Sequence, residues 1–258
     1  MSLPEKHRIR AAFSRAAVSY DAAAVLQREV CRQLLDMLRA SNARHMPADI
    51  LDAGCGTGYG ARLLASEWPS ARLAAADFAA AMAQKTASTT AAACVADIES
   101  LPFRNQAFDL WWSSLTVQWC DPRYVFAEAV RVLRPQGRLA LSTLGPGTYA
   151  ELRQAFAGID HHRHTLDFSE PAPLAAAAET AGLAQLQIVR RTITLHYPDL
   201  KTLLGAVKAI GANALGDGRR SGMMGKAAWQ ALRAAYEAQR TADGLPASYD
   251  VILLTARA

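Results

Sequence analysis

The chain has 258 residues, of which 51% are hydrophobic and 20% are charged, and this composition is typical of a globular protein. No apolar run reaches the roughly 20 residues that a membrane-spanning helix needs, and no apolar block of the secretory kind follows the charged first ten residues, so we expect a cytoplasmic protein. The net charge of +5 suits an acidic partner, but no dense run of lysine and arginine with interleaved aromatics indicates nucleic acid.

Two helices are predicted at the N-terminus, over residues 5–18 and 22–40. The second is amphipathic, because apolar residues recur every four positions at Leu26, Val30, Leu34 and Leu38. Tyr20 lies at the joint between the two helices. We predict that residues 1–45 form a lid.

Short apolar strands then alternate with helices. The strands are predicted at residues 50–52, 73–76, 91–96, 108–113 and 138–143, and the clearest helices at 59–67 and 121–133. Asp121 and Pro122 are residue types favoured at a helix start. Strands that alternate with helices indicate a parallel sheet covered on both faces.

The last third of the chain has a different pattern. It predicts a helix at 171–182, a strand at 184–196, a helical segment interrupted by glycines at 199–242, and a final strand at 247–255. The sequence therefore predicts a single α/β domain over residues 1–258, with a doubly wound, seven-stranded, mostly parallel sheet. We expect a helical lid insertion at about residues 198–246 to lie with the N-terminal helices over the carboxyl edge of the sheet.

The most informative motif follows the first predicted strand and reads Asp52-Ala53-Gly54-Cys55-Gly56-Thr57-Gly58. Glycines here let the backbone turn sharply and approach a ligand closely. Their spacing differs from the dinucleotide fingerprint GxGxxG, and the carboxylate of Asp52 would repel a pyrophosphate. An acidic residue at this position suits a ligand with a cationic amino-acid end, as in S-adenosyl-L-methionine (SAM).

Two further carboxylates stand at the ends of the next two predicted strands. Asp77 is placed to accept hydrogen bonds from ribose hydroxyls, as the acidic residue of nucleotide-binding folds does. Asp97 is placed to receive an adenine amino group, and Phe78 and Met82 are expected to sandwich the ring. Because ligands bind at the carboxyl edge of such sheets, three acids at three strand ends favour one shared site.

These motifs resemble the class I SAM-dependent methyltransferases, which implies a Rossmann-like fold. Further segments are similar to the malonyl-acyl-carrier-protein O-methyltransferase family of biotin synthesis, and the resemblance runs nearly end to end. They are Phe13–Ala17 with Tyr20, Asp97–Pro102, Trp112–Cys120, Arg131–Gly137, Lys208–Ala212 and Gly218–Arg219. The predicted cofactor-binding residues are Asp52, Gly54, Gly56, Gly58, Asp77, Phe78, Met82, Asp97, Ile98 and Ser113.

The resemblance implies methyl transfer from SAM to the free carboxylate of a malonyl thioester on an acyl carrier protein. Such a carboxylate is already ionised at pH 7, so the reaction needs no general base. Catalysis would then rest on alignment in a site with little water. Tyr20 is expected to close over the reacting groups.

A site that selects a carboxylate is expected to contain a cation. The family pattern has an arginine three positions before Lys208, where this chain has Gly205. On a helix Lys201, Gly205 and Lys208 share one face. We therefore hypothesise that Lys208, as a catalytic residue, or Lys201, as a substrate contact, reaches into the space that Gly205 leaves; the alternative is that both lysines are solvated.

Gln118 and Trp119 follow the fourth strand and are predicted to line an acyl channel, although Trp119 is equally compatible with the core. The family resemblance also places His164 near the site. The spacing of His161, His162 and His164 matches no common zinc pattern and no cysteine pair has CxxC spacing, so no metal is predicted. We expect a basic loop that, with Arg219 and Arg220, meets the acidic carrier protein.

Alternative functions remain open from sequence. The nearest is a class I methyltransferase that acts on another small acid or a quinone-type ring, because the cofactor site does not determine the substrate. A SAM-binding regulatory subunit without activity is a third reading. We expect a monomer with no membrane partner and no nucleic-acid partner.

Overall fold

The computed structural model describes residues 5–41, 46–88, 92–159, 162, 164–209 and 224–258. In these ranges the strands are β1 (Asp49–Ala53), β2 (Arg72–Asp77), β3 (Ala92–Val95), β4 (Phe108–Ser114), β5 (Leu133–Leu144), β6 (Ala184–Tyr197) and β7 (Leu245–Arg257). The helices are α1 (Lys6–Ala16), α2 (Tyr20–Ala23), α3 (Val25–Ser41), α4 (Tyr59–Glu67), α5 (Ala80–Ala87), α6 (Pro122–Val132), α7 (Ala150–Phe156), α8 (Pro171–Thr180), α9 (Leu200–Ala209) and α10 (Lys226–Glu237), and a 3₁₀ turn spans Val117–Trp119.

The strands form one sheet in the order β3-β2-β1-β4-β5-β7-β6. Strands β1 to β5 run parallel, and β7 is antiparallel to both of its neighbours. The order reverses between β1 and β4, which creates a crevice outside the carboxyl ends of these strands. The predicted doubly wound, mostly parallel sheet of seven strands is confirmed.

Helices cover both faces of the sheet, and most residues of the central strands are therefore buried. All five residues of β1 are buried, as is typical of a parallel strand between two helical layers. Helix α3 packs with the core on one face, and α6 packs on the other. Asp121 caps α6 by accepting a hydrogen bond from the Arg123 backbone N–H at 3.0 Å.

The N-terminal lid is smaller than predicted. Helix α3 buries Val30 and Leu34 completely in the core, so it belongs to the layers of the sheet. Helices α1 and α2 lie over the carboxyl edge, and the first turn of α3 reaches the same edge. The Ser19 hydroxyl donates to the Ala209 carbonyl at the end of α9, and the predicted association of the N-terminal helices with the late helical segment is observed at this contact.

Two short helices, α5 and α7, were not expected. They have eight and seven residues, too few turns for an apolar repeat to stand out. The predicted helical segment 199–242 contains α9 and α10, separated by residues outside the described ranges. None of the helices in the described part of the chain has the length and apolar character needed to cross a membrane.

Candidate active site

The loop after β1 is held by its glycines and by the end of β2. Gly54 has φ +81° and its N–H donates to the Ala76 carbonyl at 2.7 Å. A Cβ on Gly54 would lie 2.3 Å from the Thr116 hydroxyl oxygen, so no side chain fits there. Gly58, with φ +85°, is the N-cap of α4, a left-handed conformation that favours glycine. Gly56 has φ +54° and faces Tyr20.

Two carboxylates are buried against this loop. Asp52 is 2% exposed, and its Oδ2 atom has no hydrogen-bond partner among the described groups. Burial, together with the charge of Asp77, raises the pKa of Asp52 to about 7. Asp77 accepts hydrogen bonds from the N–H groups of Gly56 at 3.0 Å and Ala79 at 2.8 Å. Burial raises its pKa to about 6 although these donors oppose the shift.

The third predicted carboxylate, Asp97, is more exposed and has an unexpected partner. The Lys6 ammonium on α1 lies 2.5 Å from Asp97 Oδ2 and 2.5 Å from Glu99 Oε2. Burial lowers the pKa of Lys6, but the two hydrogen-bonded carboxylates outweigh it and raise the pKa overall. The contact fastens α1 over the end of β3. Sequence reasoning took Lys6 only as one of several charged N-terminal residues.

Three adjoining pockets open from the carboxyl edge. The edge pocket, of about 620 Å³, is lined by Gly54, Gly56, Asp77, Phe78, Met82, Asp97, Ile98 and Ser114 with parts of the lid. The glycine-loop pocket, of about 780 Å³, is lined by Asp52, Gly54, Gly56, Gln27, Arg28 and Arg62 among others. The inner pocket, of about 930 Å³, is lined mostly by apolar side chains together with Gln27, Gln118 and His164.

The structure brings together most of the predicted cofactor residues, but Gly58 and Ser113 line none of the three pockets. Phe78, Met82 and Ile98 meet Asp77 and Asp97 in the edge pocket. Ser113 is fully buried, whereas its neighbour Ser114 lines both the edge and the glycine-loop pockets. Adjacent residues of a strand point to opposite faces, so the structure places the side chain of Ser114, and not that of the predicted Ser113, at the pockets.

Tyr20 lines all three pockets. It is the first residue of α2, and the next residue, Asp21, accepts a hydrogen bond at 2.5 Å from the Thr57 hydroxyl in the glycine loop. Arg28 donates to the Asp21 carbonyl at 2.7 Å. These bonds hold the Tyr20 ring beside Gly56. Burial first, and then the nearby Asp77, raises the pKa of the Tyr20 phenol, so the hydroxyl keeps its proton at neutral pH.

Three of the four residues expected on the substrate side, Gln118, Trp119 and His164, line the inner pocket, and Lys201 does not. The Gln118 amide donates to the Leu115 carbonyl at 2.7 Å and accepts from the Thr143 hydroxyl at 3.3 Å, which orients its side chain. Trp119 packs edge-on against Phe13 of α1, with ring centroids 5.6 Å apart. His164 stacks on Phe156. His161, Arg163, Arg219 and Arg220, predicted to contact the carrier protein, lie outside the described residues.

Lys201 and Lys208 do not enter the site as hypothesised. Both are exposed on α9, and the residues of this helix that line the inner pocket are Leu204 and Val207. A Cβ on Gly205 would meet no atom within 4 Å, so no lysine fills the space beside it. At 100° per residue the two lysines share a face next to the apolar one, and the apolar face turns inward because it buries Leu200 and Leu203.

The residues present fit SAM. The glycine loop leaves room for a ligand against the backbone, and Asp52 Oδ2 is a buried acceptor without a donor among the described groups. Asp77 and Asp97 face the same apolar slot from neighbouring strand ends. A parallel sheet with this loop after β1 and these acids after β2 and β3 defines the class I SAM-dependent methyltransferases.

The comparisons with known proteins agree and are more specific. A family model described as a methyltransferase domain matches residues 51–141. The chain is 49% identical to malonyl-acyl-carrier protein O-methyltransferase of Dechloromonas aromatica (strain RCB), over 98% of this chain and 95% of the relative. It is 41% identical to the protein of the same name from Herminiimonas arsenicoxydans, over 98% and 96%. The chain therefore belongs to the malonyl-acyl-carrier protein O-methyltransferase family.

A solved structure shares the fold at low sequence identity. Phosphoethanolamine N-methyltransferase 2 of Haemonchus contortus, in complex with SAM, superposes with a TM-score of 0.58 at 16% identity. The match covers 95% of this chain and 57% of the other. At this identity the likeness establishes the common architecture.

Proposed function

We propose that this protein transfers the methyl group of SAM to the free carboxylate of a malonyl thioester on acyl carrier protein, an early step of biotin synthesis. The observation that carries the proposal is the meeting of the three pockets at Tyr20. Two of them present the carboxylates and glycines of a SAM site. The third is an apolar pocket that joins the other two where methyl transfer must occur.

The cofactor is assigned to the edge and glycine-loop pockets. Asp77 accepts hydrogen bonds from the ribose hydroxyls, and Asp97 accepts a hydrogen bond from the adenine amino group. Phe78 and Met82 pack against the adenine ring. Asp52 faces the cationic amino-acid end. When bound, SAM supplies an electrophilic methyl group, and the electron pair of its carbon–sulfur bond stays with sulfur. A cationic ligand next to Asp52 and Asp77 also offsets the cost of burying two charges.

The protein contributes alignment and exclusion of water. A malonyl carboxylate is ionised at neutral pH, so one of its oxygens is a competent nucleophile without a base. The Tyr20 hydroxyl, protonated and held beside Gly56, is assigned to donate a hydrogen bond that orients this oxygen. Trp119, Phe13 and Leu115 surround the same point with apolar surface, which keeps water away from the reacting groups.

The acyl chain and its thioester are assigned to the inner pocket, between Gln118, Trp119 and His164. The carrier protein then lies outside the pocket, where the basic loop around residues 161–164 is predicted to meet its acidic surface. Monomeric state and cytoplasmic location stay predictions.

The test is methyl transfer from labelled SAM to three forms of one carrier protein, followed by intact-protein mass spectrometry. We expect one added methyl group on malonyl-carrier protein, less on the longer succinyl form, and none on the acetyl form, which has no free carboxylate. Mild alkali should hydrolyse the methyl ester and release the label as methanol. Binding of SAM without transfer to any of these forms would contradict the proposal and favour another small acid or a quinone-type substrate.

The Tyr20→Phe variant tests the alignment step. It keeps the ring beside Gly56 and removes the hydroxyl. We expect kcat to fall by about tenfold, because the variant loses one hydrogen bond to a charged group, and such a bond contributes roughly 1.5 kcal/mol. The SAM dissociation constant should be unchanged. An unchanged kcat would remove the hydroxyl from the mechanism.

A further inference from the structure

The inner pocket has no cation at its described walls. Neither lysine nor arginine is among the described residues that line it, and Lys201 and Lys208 are exposed on another face of α9. The proposed substrate nevertheless enters as an anion. A carboxylate moved from water into an apolar pocket must regain hydrogen bonds there. Neutral groups on the described walls are therefore the candidates to supply these hydrogen bonds.

Gln27 is a polar side chain with unused hydrogen-bonding capacity at this place. It lies in the first turn of α3 and lines both the inner and the glycine-loop pockets, so it stands at their junction. Its Oε1 atom is buried and has no hydrogen-bond partner among the described groups. A buried polar atom left unpaired costs free energy, so the observed orientation of this amide carries a cost that a new orientation with a partner can recover.

The cofactor does not need this amide. Its own carboxylate has guanidinium groups available in the glycine-loop pocket, where Arg28 and Arg62 both form part of the wall. Arg62 donates one N–H to the Thr57 carbonyl at 3.1 Å and retains further donors. Gln27 therefore remains for the other ligand that reaches the junction.

Building on the proposed function, we propose that Gln27 is the specificity-determining residue that binds the free carboxylate of the acyl substrate. Oε1 is an acceptor and does not pair with a carboxylate, so binding requires the terminal amide to turn about its last bond and exchange the positions of Oε1 and Nε2. One N–H then donates to the carboxylate oxygen that does not receive the methyl group. The Tyr20 hydroxyl, at the same junction, orients the reacting oxygen.

A neutral donor suits this reaction. The carboxylate must stay nucleophilic, and a protein cation paired tightly with it would withdraw charge from the attacking oxygen. Methylation also removes the negative charge, and an amide then releases a neutral ester without leaving a buried cation unpaired.

The test compares Gln27→Leu and Gln27→Glu with the unchanged enzyme, using malonyl-carrier protein as substrate and calorimetry for SAM alone. Gln27→Leu keeps the size of the side chain and removes its polar atoms. We expect kcat/KM for malonyl-carrier protein to fall by about 10- to 100-fold, as for a lost hydrogen bond to a charged group. Gln27→Glu should fall further through charge repulsion. Gln27→Leu should bind SAM within about twofold of the unchanged enzyme.

A matched control and a folding readout separate this role from a structural one. Gln33, on the same helix, donates to Glu29 Oε1 at 2.9 Å outside the three pockets, and Gln33→Leu should leave kcat/KM unchanged. Gln27→Leu removes an unsatisfied buried atom, so its Tm should stay the same or rise; a structural glutamine would lower it.

The outcomes are distinguishable. An equal loss of SAM affinity and of kcat/KM in Gln27→Leu would overturn the proposal and assign Gln27 to the cofactor. Normal kcat/KM in Gln27→Leu would also overturn it. Absence of transfer by the unchanged enzyme would instead count against the proposed function, because that measurement involves no substitution at Gln27.

Discussion

The carboxyl edge of the sheet and the inner pocket are built in different ways. At the edge, short motifs at consecutive strand ends place carboxylates and glycine N–H groups within one continuous surface, and their geometry is set by backbone hydrogen bonds such as Gly56 N–H to Asp77. The inner pocket is assembled from helices α1, α2, α3, α7 and α9, the 3₁₀ turn, residues of β5 and β7, and the segment 164–168. The edge is thus a charged and preorganised surface, whereas the inner pocket is apolar and depends on packing.

The largest effect expected at the edge follows removal of the Asp77 carboxylate. Asp77→Ala should weaken SAM binding by about 100-fold, equivalent to two charge-assisted hydrogen bonds of at least 1.4 kcal/mol each. Calorimetric titration measures it. Asp36→Ala, an exposed carboxylate on α3, is the control and should bind SAM normally. If Asp77→Ala bound SAM with full affinity, the edge would not be the cofactor site.

The second prediction concerns the backbone of the edge. Gly54→Ala places a methyl group against Thr116 at a positive φ, and it should destabilise the protein by about 2 kcal/mol or more. Gly158→Ala is the matched control, because its Cβ would meet nothing within 4 Å and its φ is not positive. Thermal unfolding of the two variants tests the difference. Equal Tm values would show that the loop tolerates side chains.

The third prediction is a dependence of SAM affinity on pH. The pKa of Asp52 is raised to about 7 and that of Asp77 to about 6, so both carboxylates gain charge as pH rises from 5 to 8. We expect SAM to bind about tenfold more tightly at pH 7.5 than at pH 6, because the cationic ligand favours the ionised forms. Asp52→Asn should reduce this dependence, and an equally steep profile in that variant would contradict the assignment.

Asp52 and Asp77 also predict that the stability of the ligand-free protein falls as pH rises, opposite to the trend in SAM affinity. A carboxyl whose pKa is higher in the folded state than in the unfolded state binds more protons when folded, so its contribution to stability is lost as pH rises through the folded value. For Asp52 and Asp77 this window runs from about pH 4 to 7. Denaturant unfolding at several pH values, with and without SAM, measures both trends together.

The smallest effect is expected on α9, beside the inner pocket. Lys201→Ala and Lys208→Ala should each change the KM for malonyl-carrier protein by less than about twofold, because both ammonium groups are exposed and away from the described pocket walls. Steady-state kinetics on the double variant gives the most sensitive measurement. A tenfold rise in KM would indicate that a lysine binds the substrate carboxylate, and it would contradict the assignment of this contact to Gln27.

The sequence by itself determined the sheet and most of the cofactor side. Asp52, Asp77 and Asp97 each follow a short apolar run, and a parallel sheet brings such positions to one edge whatever the details of packing. The glycine spacing needs only local backbone geometry. The structure places Ser114 rather than the predicted Ser113 at the pockets, and the sequence does not distinguish the two serines because both faces of β4 are covered.

The tertiary structure alone decided the inner pocket and the lid. Gln27 belongs to an amphipathic helix whose apolar repeat predicts burial but not which pockets its first turn reaches. Lys6 meets Asp97 across 91 positions of sequence, and the orientation of α9 is set by the burial of Leu200 and Leu203 rather than by its lysines. Contacts between distant elements depend on how helices pack, and the local pattern of residues does not contain that information.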